Sequence, residues 1–208
     1  EFADGNARGP GSEVDFAQIG YAAYLHHEEL PAGMDATLEA SAVYEPSIST
    51  GFFCYSSQAA VVVVDPNTGT VEVLDYVVVE DCGTMVNPMI VRGQIIGGIA
   101  QGIGTALYEE IPYSDDGQPL ATTFADYLMP GATEIPPIRI AHLTTPSEHS
   151  EYGVKGMGEG GAIAPPAVIA NAVRDALAGL DVQINETPIT PRRVVEAIHA
   201  AKSEADSN

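Results

Sequence analysis

The chain has 208 residues, enough for one domain or two small ones, and a chain of this size buries about 70% of its unfolded surface without help from disulfides. Hydrophobic residues make up 45%, which excludes a disordered protein, while 29 acidic against 8 basic residues give a net charge of −21. That field repels phosphate backbones and anionic lipid, so it argues against nucleic-acid and membrane-surface partners.

Residues 1–12 are polar and Gly-rich and predict a flexible arm, with a domain following over 13–201 and a frayed tail over 202–208. Ser12, with Asp15 three residues on, reads as a helix start, and Phe16, Ile19 and Ala23 give residues 13–28 an apolar face. Strand-like text follows over Ala36–Tyr44, Phe52–Val64 and Thr70–Glu80. The last two flank Asp65-Pro66-Asn67-Thr68-Gly69, a strong turn signal, which predicts a β-hairpin with Val61–Val64 in the sheet interior.

Asn87-Pro88 then opens a helix to about Glu110, with Asn as N-cap and Pro at the first helical position. Ile95, Ile99, Ile103 and Leu107 form its apolar stripe. Gly93, Gly97, Gly98, Gly102 and Gly104 lie in the same helix, each costing up to ~1 kcal/mol relative to Ala. Losses of that size imply close approach by another backbone or a ligand. Ser114–Gly117 is a turn, residues 120–144 read as irregular and extended, and Gly153–Gly161 holds five glycines in nine residues. Pro165-Pro166 opens an amphipathic helix over Ala167–Ala178, and Thr190-Pro191 starts a last one to about Ala201. The chain begins at Glu1 without an initiator Met or a secretion signal, as a processed product or one piece of a longer protein would. No apolar run approaches the ~18 residues a membrane span needs.

Two segments could carry chemistry. A glycine-rich loop that runs into a Pro-started helix presents unpaired N–H groups, and Tyr152–Gly161 places Glu159 within one, either as a cap or as a reactive group. A carboxylate shielded in such a loop is desolvated and becomes a better base near neutral pH. On the helix, Gln94 and Gln101 are seven residues apart and face nearly the same way, so their amides could read the edge of a planar heterocycle; tight helix packing through the glycines is the alternative. Cys54 and Cys82 have no metal-ligand spacing and read as buried thiols in a reducing compartment, and the five histidines form no zinc-like pattern.

These residues resemble a known family. Asp81-Cys82-Gly83-Thr84-Met85-Val86-Asn87-Pro88, the Gly93-Gln94-x-x-Gly97-Gly98-x-x-Gln101-Gly102-x-Gly104 run, Asp126-Tyr127-Leu128-Met129-Pro130, and Lys155-Gly156-x-Gly158-Glu159 ahead of Asn171-Ala172-Val173 are similar, in this order, to the C-terminal part of the molybdenum-binding subunit of the xanthine oxidase family. The resemblance implies an α+β fold, a two-layer sheet-and-helix molybdopterin-binding domain. It implies a molybdenum cofactor in the cytosine dinucleotide form, with 2Fe-2S and FAD in partner subunits. By the same resemblance Glu159 stands at the family's active-site glutamate, the general base of water-derived hydroxylation of an aldehyde or N-heterocycle. Gln94, Gly97, Gly98 and Gln101, with Lys155, Gly156, Met157 and Gly158, stand at cofactor contacts, and no residue ligates the metal directly. The family's subunit is several times longer, so the resemblance also implies a further molybdenum-subunit fragment, an iron–sulfur subunit and a flavin subunit as partners, and a cytoplasmic enzyme active only with them. A non-catalytic scaffold that closes the cofactor site, or an unrelated anion-binding module, are the competing readings.

Overall fold

The computed structural model describes residues 1–45 and 51–206. The chain divides into two compact units, residues 1–45 and 46–208.

Where the sequence predicts a flexible arm, the first unit forms a small antiparallel meander of β1 (Phe2–Ala3), β2 (Asn6–Gly9) and β3 (Ser12–Asp15). Gly5 and Gly11 adopt positive φ in the connecting turns, which is how Gly-rich text becomes paired strand. The helix that follows, α1 (Phe16–Tyr24), starts later than its sequence signal, because Asp15 and not Ser12 is the cap: its carboxylate accepts the Ala17 N–H at 2.6 Å. Residues 36–45 carry no regular structure, in place of the predicted strand.

The second unit is an α+β arrangement of one mixed sheet against helices. Strands β4 (Tyr55–Val64) and β5 (Val71–Asp81) pair antiparallel around the predicted turn, and β6 (Ile138–His142), within the stretch read as irregular, adds to β5 in parallel. Helix α2 (Pro88–Leu107) is capped by Asn87, whose side chain accepts the N–H groups of Met89 and Ile90. Its stripe Ile95, Ile99, Ile103 and Leu107 is buried together with Tyr76 and Val78 of β5, Ile169 and Val173 of α4 (Pro165–Ala176), and Val194 and Ile198 of α5 (Pro191–Asp206). α5 extends beyond its predicted end near Ala201, and the last two residues of the predicted tail lie outside the described residues. Val61–Val64 is not interior throughout: Val61 is 56% and Val63 49% exposed, because the sheet offers only one face to the helices.

One irregularity matters later. Val61 pairs with Asp75 while Val62 pairs with Val73, so Leu74 is an extra residue in β5. Such a bulge exchanges the two faces of a strand. Val71 and Val73 point inward before it, and Tyr76, Val78 and Glu80 after it.

The α2 glycines separate into two kinds. A methyl group on Gly98 would stand 2.9 Å from the Ala162 nitrogen, and one on Gly102 would stand 2.7 Å from Pro165. These glycines admit the short helix α3 (Gly160–Ile163) and the start of α4, and from the other side Gly161 meets the Ile95 carbonyl at 2.5 Å by the same measure. Gly93 and Gly97 meet nothing within 4 Å. Gly161→Ala should therefore force α3 off α2, lowering stability by about 1–3 kcal/mol, read as an earlier thermal transition. A variant that melts with the wild type would show that the two backbones need not touch.

Candidate functional site

The open side of α2 and the tip of the glycine loop enclose a cleft of about 330 Å³, lined by Gln94, Gly97, Gly98, Gln101, Gly158, Glu159, Ala162 and Ile163. Six of the nine residues singled out in the sequence thus meet at one place. The seven-residue spacing sets both glutamines on one wall, and the Gln94 side-chain amide donates to the Gly158 carbonyl across the cleft at 3.0 Å, tying helix to loop. Gly97 and Gly158 leave bare backbone facing the cavity, with space where a Cβ would otherwise stand.

The loop is irregular but strapped down. Gly156 donates to the Phe52 carbonyl at 2.6 Å, Lys155 N–H to the Cys82 carbonyl at 2.9 Å, and Thr84 and Ser147 both donate to the Gly153 carbonyl at 3.0 Å. Phe53 also bridges Gly156, and Gly83 bridges Val154. The last residues of the loop wind into α3, so the turn at Gly160 is helical where five glycines in nine residues predict no regular structure.

Lys155, Gly156 and Met157 do not line the cleft. Lys155 turns inward, its ammonium 3.2 Å from Asp81 Oδ1 and 4.5 Å from the centroid of the Tyr55 ring, with both side chains of the pair over nine-tenths buried. Met157 packs on the hydrophobic core. Asp81 also accepts the Gly83 and Thr145 N–H groups at 2.9 and 3.1 Å. Burial pushes its carboxyl up, but the Thr145 and Gly83 hydrogen bonds and the Lys155 contact outweigh that and hold it well below the usual carboxylate range.

Glu159 sits at the N-terminal end of α3 and its side chain makes no capping hydrogen bond. It is exposed, against the shielded setting expected from the loop, because its neighbours Gly158 and Gly160 have no side chains with which to cover it. Among the described residues its carboxylate makes no capping bond, which leaves it available to a group in the cleft.

The sequence reading overlooked the residue beneath. Glu80 is fully buried, and neither carboxyl oxygen has a hydrogen-bond partner among the described residues. The Cys54 thiol lies beside it, near enough to influence its proton without forming a hydrogen bond of proper geometry. Desolvation pushes Glu80 up, the thiol offsets part of this, and the Asp81 charge adds to it. The same burial, with Glu80 alongside, pushes the Cys54 thiol up to about 11, so Cys54 is not poised as a nucleophile. The consecutive carboxylates Glu80 and Asp81, at the end of the Val77–Val79 run, are the signal that could have revealed this: in a strand, one of any two neighbours must face inward.

The cleft suits part of a planar, hydrogen-bonding cofactor: amides and bare backbone along the helix wall, bare backbone again at Gly158 on the loop, and a carboxylate at the rim. Among the described residues no group of three or more His, Cys, Asp or Glu could hold a metal ion, and no helix is long and apolar enough to cross a membrane.

Residues 1–136 match the family model described as molybdopterin cofactor-binding domain. The chain is 42% identical to the nicotine 6-hydroxylase large subunit of Paenarthrobacter nicotinovorans, over 89% of this chain and 22% of that protein. It is 33% identical to the carbon monoxide dehydrogenase large chain of Hydrogenophaga pseudoflava, over 90% of this chain and 23% of that one. Its structure matches quinoline 2-oxidoreductase from Pseudomonas putida 86 with a TM-score of 0.76 at 48% identity, covering 90% of this chain and 24% of that one. The chain thus spans less than a quarter of each of these relatives. The match over residues 1–136, together with relatives named as a nicotine hydroxylase and a carbon monoxide dehydrogenase, shows that the chain belongs to the molybdopterin cofactor-binding domain family, within the xanthine oxidase group that its motifs resemble.

Proposed function

We propose that this chain is the C-terminal part of a molybdenum hydroxylase's cofactor-binding subunit, that it holds the molybdopterin cofactor in the α2–loop cleft, and that Glu159 is the catalytic base. The observation that carries this reading is a carboxylate that caps no helix, at the rim of a cleft walled by two amides and unsubstituted backbone. Gln94, Gln101 and the backbone at Gly97 and Gly158 would hold the heterocycle, and the metal would be carried by the cofactor and not by side chains of this chain. When bound, the cofactor supplies the two-electron oxidation of the substrate carbon. Glu159 takes up the proton released as water-derived oxygen is added, a general-base role that asks only for reach and an unpaired carboxylate.

The substrate class we favour is an N-heterocycle, since two of the similar proteins are named for nicotine and quinoline. Exposed apolar side chains near the cleft, among them Met89, Ile90 and Ile163 at 77%, 58% and 77%, suit a covering surface from the rest of the subunit. A relative named as the gamma subunit of a dehydrogenase complex supports an assembly of this kind, which we take to include iron–sulfur and flavin subunits in the cytoplasm, with the cofactor in its cytosine dinucleotide form. The anion-binding alternative loses its cation, because Lys155 is committed to Asp81.

The test is molybdenum content. The assembled complex should contain molybdenum, and Gln94→Ala should lower its occupancy while the subunits stay together. That substitution removes a cofactor donor and frees the Gly158 carbonyl, a loss of about 1–3 kcal/mol, or roughly 5- to 150-fold in retention. Equal molybdenum in the two proteins would make Gln94 a packing residue, and a complex without molybdenum would overturn the reading itself.

A further inference from the structure

We propose that Glu80 is a positioning residue for Glu159: a buried carboxylic acid that supports the first turn of α3 and thereby fixes where the catalytic carboxylate stands. The inference rests on the reading of Glu159 given above, but it concerns a group that no cofactor contact requires.

Geometry carries it. The bulge at Leu74 turns Glu80, and not Asp81, to the inner face of the sheet. There its carboxyl lies directly under Gly160: a methyl group on that glycine would stand 2.7 Å from Glu80 Oε1, 2.8 Å from Cys54 Sγ and 3.0 Å from the Met157 methyl. Glu159 is the next residue in the chain. The backbone that carries it therefore rests on a floor made of one carboxyl, one thiol and one thioether.

The donors at this end of β5 go to the neighbouring residue. Asp81 takes the N–H groups of Gly83 and Thr145 and the Lys155 ammonium, whereas Glu80 takes none. Cys54, from the segment leading into β4, Asp81, on its own strand, and Cys82, which follows it, are the titratable groups coupled to Glu80. From above, α3 brings the backbone of Gly160 over it, and the loop brings the Met157 side chain. An ionised carboxylate without a partner cannot be kept in such a place, so Glu80 holds its proton. Two adjacent carboxyls are thus driven apart, Asp81 charged as an anchor for the loop and Glu80 neutral as its floor. The neutral form fits against bare backbone. The charged form would need water or donors, and these can enter only if the first turn of α3 lifts and takes Glu159 with it.

The experiment compares the assembled wild-type complex with its Glu80→Ala, Glu80→Gln and Glu159→Gln variants. Infrared spectroscopy should show a protonated-carboxyl carbonyl band at neutral pH that Glu80→Gln removes and Glu159→Gln does not. Amide hydrogen exchange over residues 156–163, corrected for intrinsic rates, should quicken about tenfold in Glu80→Ala, as expected of a local opening, and Glu80→Gln should restore protection. In the wild type protection should fall as pH is raised, whereas in Glu80→Gln it should not respond. No such band, or equal protection in wild type and Glu80→Ala at every pH, would overturn the proposal. If Glu80→Ala does not assemble, the infrared band and the pH response of Glu80→Gln decide. A normal turnover rate in Glu159→Gln would end the catalytic reading of Glu159 while leaving these spectroscopic and exchange results to stand or fall by themselves.

Discussion

Glu159→Gln in the assembled complex should turn over about 10²–10⁴-fold more slowly, with molybdenum content and melting behaviour close to those of the wild type. Both halves of this result follow from the structure. Glutamine keeps the shape and hydrogen-bonding reach of the side chain but cannot accept the proton, so a base is lost and little else. The fold should not register the change, because the Glu159 side chain makes no capping bond and the loop is held by other contacts: Gly156 to Phe52, Lys155 to Cys82 and Asp81, and Gln94 to Gly158. A purely structural cap would behave in the opposite way, costing about 1 kcal/mol of stability with no loss in the chemical step. Single-turnover reduction of the metal centre by substrate isolates that step. Reduction at the wild-type rate, with or without an earlier melt, would remove Glu159 from the mechanism and leave the chain as a scaffold for the cofactor.

Much of the second unit was legible because its signals are local. Asp65–Gly69 announces a turn whatever surrounds it, Asn87-Pro88 caps a helix by its own chemistry, and the Ile95–Leu107 stripe needs only the helical period. That Gln94, Gln101 and Glu159 line one cleft is suggested only by the motif resemblance and not by spacing, since 58 residues separate Gln101 from Glu159. What stayed hidden depends on contacts between distant segments. Lys155 reads as a cation beside a cofactor until Asp81 is seen to claim it. The glycines of α2 look alike in sequence, yet Gly98 and Gly102 make room for α3 and α4 while Gly97 faces the cleft. Val61–Val64 looks interior because the run is apolar, but the sheet is covered on one face only. Glu80 was least legible of all, because a single extra residue at position 74 decides which of two adjacent buried acids lies on the face toward α3.

The Lys155–Asp81 pair should prove the strongest single tie between the loop and the sheet. Lys155→Met keeps most of the apolar stem but removes the ammonium, leaving the Asp81 carboxylate buried with only the Gly83 and Thr145 N–H groups. Breaking one side of a buried pair typically costs about 3–5 kcal/mol, which for a chain of this size is a fall in melting temperature on the order of 10 °C. The pH dependence fixes the cause. Asp81 is held below its ordinary range in the folded protein, so the stability it contributes is present above the unfolded carboxyl value of about 3.9 and drains away as pH falls toward the lowered folded value. The gap between wild type and Lys155→Met should accordingly be full at neutral pH and narrow in acid as Asp81 takes up its proton in both proteins. Replacing Asp81 by Asn in the Lys155→Met background should recover part of the loss, since the stranded charge is then gone, and the double-mutant cycle measures the coupling. A gap of equal size at neutral and acid pH would mean that Lys155 contributes only its packing against Tyr55, and that the loop carrying Glu159 is held by its backbone hydrogen bonds and the Gln94 amide.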